Sequence, residues 1–346
     1  MVGQRIIRVA VNGYGVIGKR VAQAVAVQKD MAVAGVADVA QDWRVRAALS
    51  RGYALYGATE EHAVAMGAAG LDVSGTLDDL LEAADIVVDC TPKHLASKNI
   101  ETYRRLGIRF IVHGGEKHQS TGHSFVAEAN YASAVGRDCS RVVSCNTTSI
   151  IRTLSALKRH GLLDRARGTL LRRATDPWES HQGGIMNTVV PEPEIASHQG
   201  PDAQSVDPDL DVVTMAVKVP ETLAHLHYWS VQLTREASKD EVLDAFRTSS
   251  RIVFLRNSDG LSAINSVKEL MADLGRPHDS LYEVALWEDM LKVQGNELFY
   301  AYMVDNQAIV VPETIDAIRA LTGAEPDAET SIRDTNDSLG IGSLGL

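Results

Sequence analysis

The chain has 346 residues, 45% hydrophobic and 23% charged, which is the usage of an ordinary globular protein and not of a disordered, fibrous or disulfide-stapled one. At about 100–200 residues per domain, the length points to two domains. Thirty-four Lys and Arg against 45 Asp and Glu leave a formal charge of −11, an argument against nucleic-acid or anionic-membrane partners. A small anionic substrate stays open, because a few local cations suffice for it. The three cysteines, Cys90, Cys139 and Cys145, make no disulfide framework and fit a reducing compartment. No run approaches the about 20 apolar residues of a membrane span. Arg5 and Arg8 are followed by no apolar leader core, so a cytoplasmic protein is expected.

Residues 6–11 form a short β-branched run that predicts a buried strand. Gly13, Gly15 and Gly18 follow, and then Val16, Ile17, Val21, Ala24, Val25 and Val27 recur at helical spacing. Residues 33–37, 86–90 and 109–113 predict further buried strands, with helices at 77–84 and 96–106 between them. This alternation predicts a parallel sheet with right-handed crossovers. The pattern changes after about residue 142. Residues 142–145 look like a strand end and 149–160 like an amphipathic helix. Residues 168–174, 212–219 and 227–233 look like half-exposed antiparallel strands. The polar stretch 176–208 is too long for an idle connection and is expected to be functional. A helix is expected over 312–321, and a short helix and frayed end from residue 335.

Three motifs carry chemistry. Gly13-Tyr14-Gly15-Val16-Ile17-Gly18 follows a predicted strand and opens a predicted helix. Glycines at this spacing allow a tight turn, close approach of a pyrophosphate and close helix–strand packing. The free N–H groups of the helix start would hold the anion. Asp38, at the end of the second strand, stands where a carboxylate can accept from adenosine ribose hydroxyls. In Ser144-Cys145-Asn146-Thr147-Thr148, the cysteine falls between a strand end and a helix start, where N–H groups lower a thiol pKa and hold an oxyanion. Cys90, in an apolar strand end, reads as structural, and Cys139 as a loop thiol. A nucleophilic cysteine needs a base, and His225 and His227 are the candidates, one expected on the working face and the other turned away. A metal reading of this His-x-His lacks partner spacing, so no metal is expected. Arg172, Arg173 and His198 could bind an anion or be plain surface residues.

These residues resemble a known family. Asn12-Gly13-Tyr14-Gly15-Val16-Ile17-Gly18-Lys19-Arg20, Gly114-Gly115-Glu116-Lys117, the motif from Val142 to Thr148, Arg172-Arg173, Ser197-His198, Thr222-Leu223-Ala224-His225-Leu226-His227, Ile309-Val310-Val311-Pro312-Glu313 and Asn336-Asp337-Ser338-Leu339-Gly340 occur in the order seen in archaeal-type (type II) glyceraldehyde-3-phosphate dehydrogenases. The likeness covers essentially the whole chain. It implies an α/β architecture: a Rossmann-type dinucleotide-binding domain over 1–143 and 306–346, with the C-terminal helix returning to it, and an α+β catalytic domain with a mainly antiparallel sheet over 144–305. It implies oxidation of D-glyceraldehyde 3-phosphate with NAD(P) and inorganic phosphate, through a cysteine thioester, to 1,3-bisphosphoglycerate. It makes Cys145 the nucleophile and His225 the base. It places Val16, Ile17, Gly115, Arg173 and Asn306 on the cofactor, Ser144 and Asn146 in the substrate site, and His198 on phosphate. Ser144, Asn146, Thr147, Thr148, His198 and Gln199 form the expected substrate set. A homotetramer is implied as well.

Two departures stand out. The family often has His-His where this chain has His198-Gln199, and lysine where it has Asp38. A carboxylate at 38 predicts a preference for NAD without exclusion of NADP, which Arg44 or Arg46 could rescue. Two other readings remain: a phosphorylating semialdehyde dehydrogenase of the same architecture, and a non-catalytic NAD-binding protein.

Overall fold

The computed structural model describes residues 5–113, 115–342 and 344; Gly114 and the remaining terminal positions lie outside the described residues. The chain divides into two compact units, Met1–Val143 with Val311–Gly340, and Ser144–Val310 with Ile341–Leu346.

The first unit is built on eight strands: β1 (Ile7–Asn12), β2 (Met31–Asp38), β3 (Leu55–Gly57), β4 (Gly75–Thr76), β5 (Ile86–Asp89), β6 (Arg109–His113), β7 (Ser124–Phe125) and β8 (Cys139–Val142). They lie in the order β4-β3-β2-β1-β5-β6-β8-β7, and every neighbouring pair is parallel. Parallel strands must be covered on both faces, and the apolar runs supply that: all four residues of β5 are buried. Leu77, Leu80 and Leu81 of the helix Leu77–Glu82, with Ile100 and Tyr103 of the helix Ala96–Leu106, pack on Ala10, Val87, Phe110 and Val112 of the sheet. Strand order reverses between β1 and β5, and such a reversal opens a ligand crevice at the strands' carboxyl ends.

Residues 311–340 return to this unit with the helices Val310–Thr322 and Ala328–Leu339. Residue 335, expected to open a short helix and frayed end, lies inside a helix that begins at Ala328, where its hydroxyl donates to Asp316. Residues 306–310 and the described residues 341, 342 and 344, expected here, group with the second unit. The reason is local bonding. The amides of Ala308 and Ile309 turn back onto the Asp305 carbonyl. Leu344 is buried in the core with Met271 and Trp287, and the Gly342 amide donates to Glu283.

The second unit carries β9 (Leu163–Arg173), β10 (Val190–Pro191), β11 (Val212–Val219), β12 (His225–Leu233), β13 (Ile252–Leu255), β14 (Val284–Trp287), β15 (Lys292–Gln294) and β16 (Glu297–Val304). The order is β10-β11-β9-β12-β16-β14-β13, with β15 beside β16. The sheet is mixed and mainly antiparallel: β13 and β14 run parallel, and, as a correction to the expected antiparallel pattern, so do β9 and β11. Parallel neighbours need a crossover of a dozen residues or more. The long polar segment between them is that crossover, and its helix Gln199–Gln204 packs beside β11 through Gly200, whose amide donates to the Thr214 hydroxyl.

Candidate active site

The glycine-rich turn links β1 to the helix Val16–Ala26 in the first unit. Gly13 has φ +91°, and a Cβ on it would press within 2.9 Å of the Cys90 backbone. A Cβ on Gly18 would collide with the Gly13 carbonyl. At Gly15 a Cβ would meet no atom within 4 Å, so open space stands over the middle glycine. Gly15 is also the helix N-cap, and with no side chain and no acidic residue in the first turn it leaves the first N–H groups to an anion. The turn therefore suits a dinucleotide pyrophosphate. Asp38 closes the turn: Oδ2 accepts from the Tyr14 amide at 2.6 Å, and Oδ1 accepts from the amides of Val39 and Ala40 at 2.7 and 2.8 Å. It does not cap the next helix, Trp43–Ser50, whose cap is Asp42. Arg44 is forked onto that same Asp42 carboxylate at 2.6 Å, and Arg46 donates to the Ala69 carbonyl. Gly115 follows β6 and is exposed, with Lys93 3.5 Å from where its Cβ would be.

In the second unit Cys145 is the first residue of the helix Cys145–Arg159. Ser144 caps this helix by accepting from the Thr147 amide. Every residue from Asn146 to Leu157 is buried, the polar ones together with the apolar Ile150, Ile151, Leu154, Ala156 and Leu157. Buried Arg152 donates to the carbonyls of Tyr282 and Ile309 and anchors the helix. The sequence reading expected a depressed thiol pKa. Burial instead pushes the thiol up to about 11, and Arg173, the Asn146 amide and Arg172 only partly offset it.

Both histidines of the pair lie on one face. Residues two apart on a strand share a side, and His225, His227, Trp229, Val231 and Leu233 are all buried. The expectation that one turns away is thus corrected. The Arg173 amide donates to His225 Nδ1 at 3.0 Å, so the neutral ring carries its proton on Nε2. Burial, together with His227, Arg173 and Arg172, holds His225 well below the usual histidine range. His227 sits between Tyr302 and Asn146 at 2.9 Å from each.

The expected anion-binding residues fall into two sets. Arg172 pairs with Glu192, whose other oxygen is 3.6 Å from His198 Nδ1. Arg173 pairs with Asp176 at 3.0 Å. Thr147 donates to Asp202 at 2.6 Å. The second set is unsatisfied: Thr148 Oγ1, Arg172 Nε, Arg173 Nε, both amide atoms of Gln199 and Asn306 Oδ1 are buried with no hydrogen-bond partner. Buried polar groups are nearly always paired, so these atoms are available to a polar ligand. Glu192, Asp176 and Tyr302 escape a sequence reading, since single acidic or aromatic residues in polar or strand segments carry no pattern. Among the described residues no three His, Cys, Asp or Glu side chains group to hold a metal ion, and no helix is long and apolar enough to cross a membrane.

A parallel sheet of dinucleotide-binding type, and a second unit presenting a cysteine at a helix start beside two arginines, define the class of cysteine-dependent dinucleotide oxidoreductases. Comparison with known proteins narrows this. The model for the C-terminal domain of glyceraldehyde 3-phosphate dehydrogenase matches residues 144–288, and that for the dihydrodipicolinate reductase N-terminus matches 7–147. The glyceraldehyde-3-phosphate dehydrogenase of Methanobrevibacter smithii is 44% identical over 96% of this chain and 99% of its own length. That of Thermococcus kodakarensis is 42% identical over 97% and 99%. The chain belongs to the glyceraldehyde-3-phosphate dehydrogenase family. Among solved structures, aspartate semialdehyde dehydrogenase II from Vibrio cholerae shares the fold, with a TM-score of 0.65 at 12% identity over 92% of this chain and 98% of that one.

Proposed function

We propose that the protein oxidises D-glyceraldehyde 3-phosphate with a nicotinamide dinucleotide and inorganic phosphate to 1,3-bisphosphoglycerate. The observation that carries this reading is the set of unpaired buried polar atoms on Thr148, Arg172, Arg173 and Gln199, in the same unit as Cys145. Such donors suit phosphate oxygens.

In this reading the Cys145 sulfur adds to the aldehyde carbon and gives a hemithioacetal. His225 takes the hydroxyl proton, and because an imidazolium has no lone pair, doing so breaks its bond from the Arg173 amide. The nicotinamide, when bound, accepts the hydride. The thioester left on Cys145 is then attacked by a phosphate oxygen, which releases the acyl phosphate and restores the sulfur. Ser144 and Asn146 border the substrate. His198 and Gln199 serve phosphate, with the Gln199 amide donating where relatives often have a second histidine. Glu192 occupies Arg172 in the free enzyme and yields to the anion. Gly13, Gly15, Val16, Ile17, Gly18 and Asp38 hold the dinucleotide, and Gly115, Arg173 and Asn306 add contacts to it. NAD is preferred, because the Asp38 carboxylate repels a 2′-phosphate and Arg44 is engaged by Asp42.

The exposed side chains of Met215, Tyr228 and Phe299 on the second unit's sheet suit burial against another copy, in keeping with a homotetramer; light scattering that returns a monomer mass refutes it. The deciding experiment is reduction of NAD and NADP by glyceraldehyde 3-phosphate with and without phosphate, run beside a semialdehyde panel. Phosphate-dependent turnover on glyceraldehyde 3-phosphate is expected. Turnover confined to a semialdehyde overturns the substrate, and none at all overturns the enzyme.

A further inference from the structure

The loop that follows β16 carries Gln307, which the reaction as written above does not use. Asp305, 1% exposed, ties this loop down. Its Oδ2 accepts from Lys268 Nζ at 2.7 Å and from the Leu281 amide at 3.1 Å, and its Oδ1 accepts from the Gln307 amide at 3.0 Å. With its backbone held in this way, Gln307 reaches Asp176 with its side chain: Nε2 donates to Asp176 Oδ1 at 2.6 Å. A carboxylate only accepts, so the NH2 end of the amide faces Asp176.

The same Asp176 oxygen takes Arg173 Nη2 at 3.0 Å. Gln307 and Arg173 therefore meet through one atom. Arg173 ends β9, and its backbone amide donates to His225 Nδ1 at 3.0 Å. Its Nε is buried and has no hydrogen-bond partner among the described residues. A guanidinium is a rigid planar fork, so fixing Nη2 constrains where Nε points. The usual pairing of arginine with a carboxylate takes two parallel N–H bonds. Gln307 holds Asp176 short of that arrangement, and Nε stays open.

We propose that Gln307 is a positioning residue for Arg173: by holding the Asp176 carboxylate on Nη2, it keeps that carboxylate off Nε and leaves Nε as a donor for a phosphoryl oxygen of a bound ligand. Without the Gln307 donor, Asp176 turns onto Nε and competes with the ligand. This deepens the function proposed above and rests on it for the identity of the ligand, whereas the hold on Asp176 is a property of the free enzyme.

The test uses the full-length protein and no aldehyde. Inorganic phosphate and NAD are each titrated by isothermal calorimetry, so the two sources of a phosphoryl oxygen are read separately. Gln307→Met keeps the length of the side chain and removes the donor. It should weaken at least one of the two ligands by about fivefold, the size of one ordinary hydrogen bond. Gln307→His restores a neutral N–H donor and should recover most of the affinity. In an Asp176→Ala background no carboxylate is left to compete, and adding Gln307→Met should weaken binding no further. Gln307→Ala serves if Gln307→Met does not fold. Wild-type affinity for both ligands in Gln307→Met, a loss in Gln307→His as large as in Gln307→Met, or a loss that persists in the Asp176→Ala background overturns the proposal, as does a wild type that binds neither ligand. Inactivity toward glyceraldehyde 3-phosphate would overturn the substrate reading and leave these affinities standing.

Discussion

Cys145 stands between opposing influences. Burial disfavours a thiolate, while Arg173, the Asn146 amide and Arg172 favour one, and burial prevails at about 11. At neutral pH the free enzyme therefore keeps a protonated thiol. Alkylation should accelerate with pH up to that value, and Arg173→Met, by removing the larger cationic help, should slow it at pH 8. Labelling that is already pH-independent at pH 7 would contradict this. Cys145→Ser should abolish dehydrogenase turnover and leave dinucleotide binding by fluorescence titration intact, since the glycine-rich turn belongs to the other unit. Asp38 has a structural and a selective part to play. Asp38→Lys removes the acceptor of the Tyr14 amide, so binding of both dinucleotides should weaken. The ratio of specificity constants should nevertheless move toward NADP by about tenfold, or ~1.4 kcal/mol. A wild-type enzyme that already favours NADP would refute the ribose role of the carboxylate.

At the scale of elements, two devices place the working residues. The helix Cys145–Arg159 is capped by Ser144 and pinned at mid-length by Arg152, so its first turn presents Cys145 from a fixed end. The helix Val310–Thr322 is tied to the start of β2 by a buried ion pair. Arg319 donates to both oxygens of Asp30 at 2.7 and 2.9 Å, and also to Gln28 and Thr335. Asp30→Ala would leave Arg319 buried without its carboxylate. Breaking one side of such a pair costs about 3–5 kcal/mol, read as a lower urea midpoint. Asp30→Leu with Arg319→Met should recover much of the loss, and an unchanged midpoint in Asp30→Ala would show that the pair carries no such role.

For the whole molecule, the buried histidines set the acid limit. His225 and His113 are held well down or lowered by burial, His227 lies at about 3 and His123 at about 4. Unfolded histidines take up protons near pH 6.5 and these folded ones do not. Stability is therefore complete above about pH 6.5 and falls as pH drops toward the folded values, by up to ~1.4 kcal/mol per pH unit for each histidine. Urea midpoints at pH 7.5 and 5.5 should differ clearly, and His123→Asn should flatten the dependence by about one proton. Equal midpoints at the two pH values would contradict the assignment.

The dinucleotide-type sheet was legible in the chain because its strands are buried on both faces. Continuous runs such as Ile86-Val87-Val88 announce that state, and the glycines at 13, 15 and 18 answer constraints of the local backbone. The two-residue strands β4, β7 and β10 were not, since nothing so short holds a period. Sequence alone placed Cys145 between a strand end and an amphipathic helix expected from residue 149, because an apolar repeat is local; the structure opens that helix at Cys145 itself, on a Ser144 cap. The tertiary structure alone decided that β9 and β11 run parallel, that His225 and His227 share a face with separate partners, that Glu192 sits on Arg172, and that the thiol lies high. Each of these depends on which distant residues burial brings within about 3 Å of one another, and in a chain the strength of a hydrogen bond or charge is set by that distance and by the water excluded around it.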